Sequence, residues 1–325
     1  MRVLLVKLSS LGDVLHNLPV VSDLARAMPE IEIDWVTEAP YAELLALHPQ
    51  VRRVYAIHLR DLKKRWYSPA AWSIFMADKA ALSRQTYDTI LDTQGLIKSA
   101  LVARFAKGPI GGFSRDTARE PLAARGYDQA VAVPCDLHAV ERNRRLAAGI
   151  FGYDLSEAVN YGLRLPPSVA NATLPTPYVV FLHATSRADK MWPQAHWIAL
   201  AECLRFHQQG IGVVLPWGNA AEKRTSERLA MAIPAAIVPA AMSLLDAASL
   251  LARARGVVGV DTGLAHLSVA LARPTVGLYL TTSPTLTGLY GSDSAINLGG
   301  GNPKLPVVPS VDDACAALLS LLSAA

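Results

Sequence analysis

The sequence predicts an α/β protein built from two doubly wound domains. Three observations predict it. Short apolar, β-branched runs alternate with segments of helical spacing. The rhythm stops once, in a proline-punctuated stretch at 153–176, and then restarts. The chain has 325 residues, a length that suits two domains of ordinary size. Hydrophobic residues make up 51% and charged residues 18%, which supplies two cores and excludes a disordered chain.

The elements follow in order. Residues 3–7 read as a strand, and a turn follows at 9–12, where Gly12 would permit a tight bend. From Asp13, the residues Val14, Leu15, Leu18, Val21 and Leu24 recur at helical spacing as far as Pro29. Residues 31–36 form the next strand. A strand at 89–92 runs into Thr93-Gln94-Gly95, a helix covers 96–105, a short strand 110–113, and 138–151 has helical spacing. The domains are expected at 1–165 and 166–325, with Pro166, Pro167, Pro175 and Pro177 marking the linker. After it, strands at 178–183, 211–216, 236–238, 256–260 and 275–279 alternate with helices at 193–206, 220–232, 244–254 and 263–271. A last amphipathic helix, at about 310–325, is left open to pack back on the first domain.

Composition narrows the function. The net charge is +4 and is slight in both halves, so only local clusters carry meaning and a nucleic-acid-coating protein is disfavoured. Cys135, Cys203 and Cys315 are far apart, odd in number and without a Cys-x-x-Cys, so buried thiols in a reducing compartment are expected. The N-terminus lacks a signal-peptide pattern, and no apolar stretch is long enough to span a bilayer, so a cytoplasmic protein is expected. There is no P-loop, no GxGxxG after a strand, no GxSxG and no HExxH. No Asp-x-Asp is present to hold a divalent metal on a nucleotide sugar, so no metal cofactor is expected.

Five segments can carry chemistry. Asp13 lies just after the first strand, where doubly wound domains place functional groups; it either caps the helix or serves as a base. Thr185, Ser186 and Lys190 crowd the loop after the second domain's first strand, which suits a phosphate group or a plain solvated loop. Asp261, Thr262, Gly263 and His266 open a helix whose unpaired N–H groups favour an anion; capping and a half-buried histidine are the ordinary alternatives. Arg60, Lys63, Lys64 and Arg65 adjoin Trp66 and Tyr67, a run that is either a solvated face or, with Arg115 and Arg119, a site for an acidic acceptor or a membrane interface. Trp217 to Glu222 opens a helix and could hold a ribose or base, or be ordinary loop packing.

Seven segments together are similar to the bacterial ADP-heptose:lipopolysaccharide heptosyltransferases, above all the heptosyltransferase I group. They are KLSSLGDVLHNLP (7–19), LDTQGLIKSA (91–100), DTAREPLA (116–123), HAVERNRRL (138–146), FLHATSRADKMWP (181–193), LPWGNAAE (215–222) and VDTGLAHLSVAL (260–271). The resemblance implies a GT-B fold, with two Rossmann-like domains facing a cleft. It implies transfer of heptose from ADP-heptose to a Kdo sugar of Kdo2–lipid A, with inversion and without a metal. Asp13 would be the general base, and Thr185, Ser186 and Lys190 would hold the diphosphate. Glu222 would hold the ribose; Asp261, Thr262, Gly263 and His266 would hold heptose and phosphates; Arg60, Lys63, Lys64 and Arg119 would take the acceptor. A peripheral position on the cytoplasmic face of the inner membrane, with no nucleic-acid partner, goes with that acceptor. The alternatives are a transferase adding a later core heptose, or another nucleotide-sugar-binding protein of the same fold. Ser186 stands where threonine is expected, and Leu280 where glycine is expected.

Overall fold

The computed structural model describes residues 1–156, 158–165, 174, 177–208 and 210–324. Its contacts divide into two units, Met1–Arg164 and Leu165–Ala325. Most of the proline-rich linker, 166–173 and 175–176, lies outside the described residues.

The first unit runs β1 (Arg2–Val6), α1 (Leu11–Leu15), α2 (Leu18–Ala27), β2 (Glu32–Glu38), α3 (Ala42–Leu45) and β3 (Val51–Ile57). It continues with α4 (Leu59–Lys64), α5 (Pro69–Ser83), β4 (Thr89–Asp92), α6 (Ile97–Ala103), β5 (Ile110–Phe113), β6 (Gln129–Val131) and α7 (Ala139–Phe151). The six strands are parallel in the order β3-β2-β1-β4-β5-β6, the dinucleotide-fold order. Val3, Leu4, Leu5 and Val6 are wholly buried because a central parallel strand is covered on both faces.

The second unit repeats the plan. It runs β7 (Tyr178–Leu182), α8 (Gln194–His207), β8 (Gly212–Val214), α9 (Ala220–Ala232), β9 (Ala236–Ile237) and α10 (Leu244–Arg253). Then come β10 (Gly256–Val260), α11 (Gly263–Ala270), β11 (Thr275–Tyr279), α12 (Pro284–Thr287), β12 (Ala295–Gly299) and α13 (Val311–Ala324). Its sheet, β12-β11-β10-β7-β8-β9, has the same order counted from its own first strand. Phe181, Trp192 and Trp197 fill its core beside Leu318 and Leu322 of the last helix.

Four expectations need correction. The helix expected from Asp13 to Pro29 is two, broken at His16 and Asn17. Pro19 is the reason: its ring excludes the carbonyl four residues back and it has no N–H to donate. Gly12 lies inside α1 rather than in the turn before it. The last helix packs on α8, β10 and β11 of its own unit. Cys203 and Cys315 are joined as a disulfide between α8 and α13, and Cys135 is free and exposed rather than buried.

Each unit buries a histidine that resists protonation, His48 in the first and His183 in the second. His48 is held between Ser22 Oγ and the Gln50 N–H, and His183 bonds Ser226 Oγ at 2.8 Å. Burial lowers each pKa to about 4; for His48 the Arg164 charge adds to it. The unfolded chain takes up these protons near pH 6.5, so the stabilisation is complete above that pH and is lost as pH falls toward 4. The loss is on the order of 3 kcal/mol in each unit. Urea midpoints should therefore drop between pH 7 and pH 4.5. His48→Gln should flatten the first unit's share; an unchanged slope would contradict this account.

Candidate active site

The first group gathers at the carboxyl ends of β1 and its neighbours. Asp13 is half-buried in the first turn of α1. Its Oδ2 accepts from the Ser10 N–H at 2.8 Å and from Ser10 Oγ at 3.0 Å. Both bonds fall on one oxygen, which leaves Oδ1 able to accept from a substrate. Asp13 is thus a capping residue and an available carboxylate at once.

The segment before it is braced from the next strand. The Gln94 side chain accepts from the Leu8 N–H at 2.7 Å and donates to the Ser9 carbonyl at 3.2 Å. Asp92 in turn accepts from the Gln94 and Gly95 N–H groups. Gly95 adopts φ +66°, a left-handed conformation that closes this loop and that glycine takes without strain. Lys98 donates to Ser9 Oγ at 3.1 Å. Lys7 turns inward: its Nζ donates to the Thr93 carbonyl at 2.7 Å and to Asn143 Oδ1 at 3.4 Å. Burial lowers the Lys7 pKa to about 8; Asp13 and Asp92 oppose the shift, and Arg119 and Arg142 add to it.

Of the four candidate acceptor cations, Arg60 and Arg119 lie next to this group. Glu38, at the end of β2, donates its N–H to the Leu8 carbonyl and accepts the Arg60 N–H at its side chain. Arg60 also donates to Tyr41 Oη at 3.0 Å. Lys63 and Lys64 are exposed in the last turn of α4, and Arg119 is exposed in the segment after β5.

The second group is centred on Asp261, at the carboxyl end of β10. Its Oδ2 accepts from Lys190 Nζ at 2.6 Å and Thr282 Oγ1 at 2.8 Å, and its Oδ1 lies 3.9 Å from His266 Nε2. Thr185 Oγ1 donates to the Asp261 backbone carbonyl at 3.0 Å. Burial pushes the Asp261 pKa up. The hydrogen bonds of His266 and Lys190, the Lys190 charge and the Thr282 hydroxyl outweigh it and hold the carboxyl below the usual range. Thr262 and Gly263 sit at the N-cap and first residue of α11, and the Thr262 side chain makes no capping bond. Ser186 is exposed beside the cluster.

Glu222 stands apart from that cluster, in the first turn of α9. It accepts from the Gly218 N–H at 2.7 Å and Asn219 Nδ2 at 2.6 Å, while the Trp217 indole donates to the Pro239 carbonyl. The structure therefore joins Thr185, Lys190, Asp261 and His266 directly, and holds Asp13 in a separate, braced turn. Sequence reasoning gave no role to Lys7, Gln94, Lys98 or Thr282. A lysine ending an apolar strand was the one readable signal, at Lys7.

The profile of glycosyltransferase family 9 (heptosyltransferase) matches residues 76–314. The chain belongs to that family. As a glycosyltransferase it is similar to the lipopolysaccharide heptosyltransferase 1 of Pseudomonas aeruginosa, 46% identical over 308 residues, which are 94% of this chain and 86% of that one. It resembles the structure of E. coli heptosyltransferase WaaC with ADP at a TM-score of 0.86 and 38% identity, covering 100% of this chain and 99% of that one. The same enzyme with ADP-2-deoxy-2-fluoro heptose gives 0.82 and 37% over the same shares. These likenesses make the fold GT-B.

Proposed function

We propose that this heptosyltransferase acts in assembly of the lipopolysaccharide inner core, moving L-glycero-D-manno-heptose from ADP-heptose to a Kdo residue of Kdo2–lipid A. The observation that carries the reading is Asp13 with one oxygen bound and one available, in a family member that also gathers Lys190, Thr185 and a helix N-terminus around Asp261.

The acceptor hydroxyl attacks the anomeric carbon as Asp13 takes its proton. The bond from that carbon to the diphosphate oxygen breaks, ADP leaves, and the configuration inverts. Lys190, the hydroxyls of Thr185 and Ser186 and the N–H groups of α11 offset the charge that grows on the leaving diphosphate. Thr262, Gly263 and His266 line the heptose and phosphates, and Glu222 holds the ribose. The charge is balanced by these groups, so the proposed reaction calls for no resident metal. Arg60, Lys63, Lys64 and Arg119 receive the anionic acceptor, and the enzyme works peripherally at the cytoplasmic face of the inner membrane. Among the described residues, no helix is long and apolar enough to cross a membrane.

Release of ADP from ADP-heptose tests the reading. It should depend on Kdo2–lipid A and stay at background with an acceptor that already carries its first heptose. Release only with the heptosylated acceptor would move the enzyme to a later step. Release with neither would overturn the assignment of acceptor.

A further inference from the structure

Helix α5 has more apolar surface than the fold covers. It spans 15 residues, PAAWSIFMADKAALS, and buries only Ala71 and Leu82 fully. One face is accounted for: Phe75 stacks edge-on against Phe105 at 5.8 Å, and Asp78 accepts from the N–H and Nδ1 of His58. Beside Phe75, Trp72 (48%) and Met76 (51%) are exposed one turn apart on a common flank, Ile74 (39%) is exposed on the other flank, and the approach to the helix adds Trp66 (70%) and Tyr67 (73%), joined to Trp72 by a hydrogen bond and to each other by ring contact. A helix that is apolar beyond its core stripe normally has a partner, and a contiguous apolar patch of this kind marks an interaction surface.

The chemistry around the patch says what the partner is. Between residues 62 and 87 the single acidic residue is Asp78, and it is bonded to His58. Lys63, Lys64, Lys79 and Arg84 are exposed and positive. The patch is therefore apolar with one sign of charge at its rim, which matches an anionic lipid headgroup layer over acyl chains rather than a protein surface of mixed charge. Trp72 fits the same setting, because its indole N–H donates to the Trp66 carbonyl at 2.7 Å. The exposed ring can enter an apolar medium without leaving an orphan donor.

We propose that the α5 flank of Trp72 and Met76, together with Trp66 and Tyr67, inserts shallowly into an anionic bilayer surface. The rim cations hold the headgroups, and the helix is the docking element that keeps the enzyme at the membrane. This deepens the peripheral position proposed above, on which its purpose rests, but the docking itself needs no acceptor.

The test uses the full chain and vesicles of equal parts phosphatidylglycerol and phosphatidylethanolamine without acceptor. The double variant Trp72→Ser, Met76→Ser should partition roughly tenfold less onto them than the unaltered chain. A second variant, Met76→Glu, keeps a helix former and places acid on the flank of Trp72; it should lose binding to a similar degree. Both should release ADP at the unaltered rate with a water-soluble, deacylated Kdo acceptor. Vesicle binding unchanged in both variants would overturn the proposal, as would equal binding of the unaltered chain to purely zwitterionic vesicles. Self-association of the unaltered chain without lipid, lost in the double variant, would assign the face to a second copy instead. Failure of the soluble-acceptor reaction in the unaltered chain would count against the proposed acceptor and leave the vesicle result standing.

Discussion

Asp13→Asn is expected to lower kcat by roughly 10²–10⁴-fold, with the KM for ADP-heptose little changed. The asparagine oxygen can still accept from Ser10, as Asp13 Oδ2 does now at 2.8 Å, so the turn before α1 should persist. What it cannot do is take a proton from the attacking hydroxyl. Asp13→Ala should lose the same activity and, in addition, about 1 kcal/mol of stability, because the capping bond goes with the carboxylate. Matching kcat losses with a stability loss in one variant alone separates the two roles of the residue. Gln94→Leu belongs to the same experiment. It removes the two bonds that Gln94 makes to Leu8 and Ser9, and should lower kcat less than Asp13→Asn does. Retention of more than a tenth of the original kcat in Asp13→Asn would remove Asp13 as the base.

The parallel strands were legible because a strand covered on both faces has to be a short apolar run, and residues 3–6 and 256–260 are such runs. β3 was not legible for the opposite reason: it is an edge strand, and Arg52 and Arg53 are exposed on it. The helices α4 and α5 were hidden by their own surface, since a charged run followed by an apolar segment without a polar stripe has no amphipathic period to read. Within the site, the residues that end strands were readable from position: Asp13, Thr185 and Asp261 each follow a strand of their unit's sheet. Those that support them were not. Gln94 reaches Leu8 across 86 positions, and Thr282 reaches Asp261 from the loop after β11. Such contacts exist only once β4 lies beside β1 and β11 beside β10. The pairing of Cys203 with Cys315, 112 residues apart, likewise depends on where α8 and α13 pack.

Lys190→Met should cost both turnover and fold, and the two losses can be divided. The ammonium lies 2.6 Å from Asp261 Oδ2, with side chains 16% and 13% exposed. Removing it takes a charge from the leaving diphosphate, expected at roughly 10²–10³ in kcat. It also leaves Asp261 buried with only Thr282 and His266 as partners, a loss of about 2–3 kcal/mol, below the range for a fully buried pair. Asp261 owes its low pKa to those contacts against the pull of burial, so its stabilisation is present at neutral pH and fades as pH falls through the folded value. In Lys190→Met that fading should begin at a higher pH. The double variant Lys190→Met, Asp261→Asn should recover most of the stability, because neither charge is left unpaired, but none of the turnover. Asp261→Asn alone should behave differently again. Its lysine keeps its charge and loses the competing carboxylate, so ADP should bind severalfold more tightly than to the unaltered enzyme. Unchanged ADP affinity in both single variants would mean that Lys190 serves the fold and not the diphosphate.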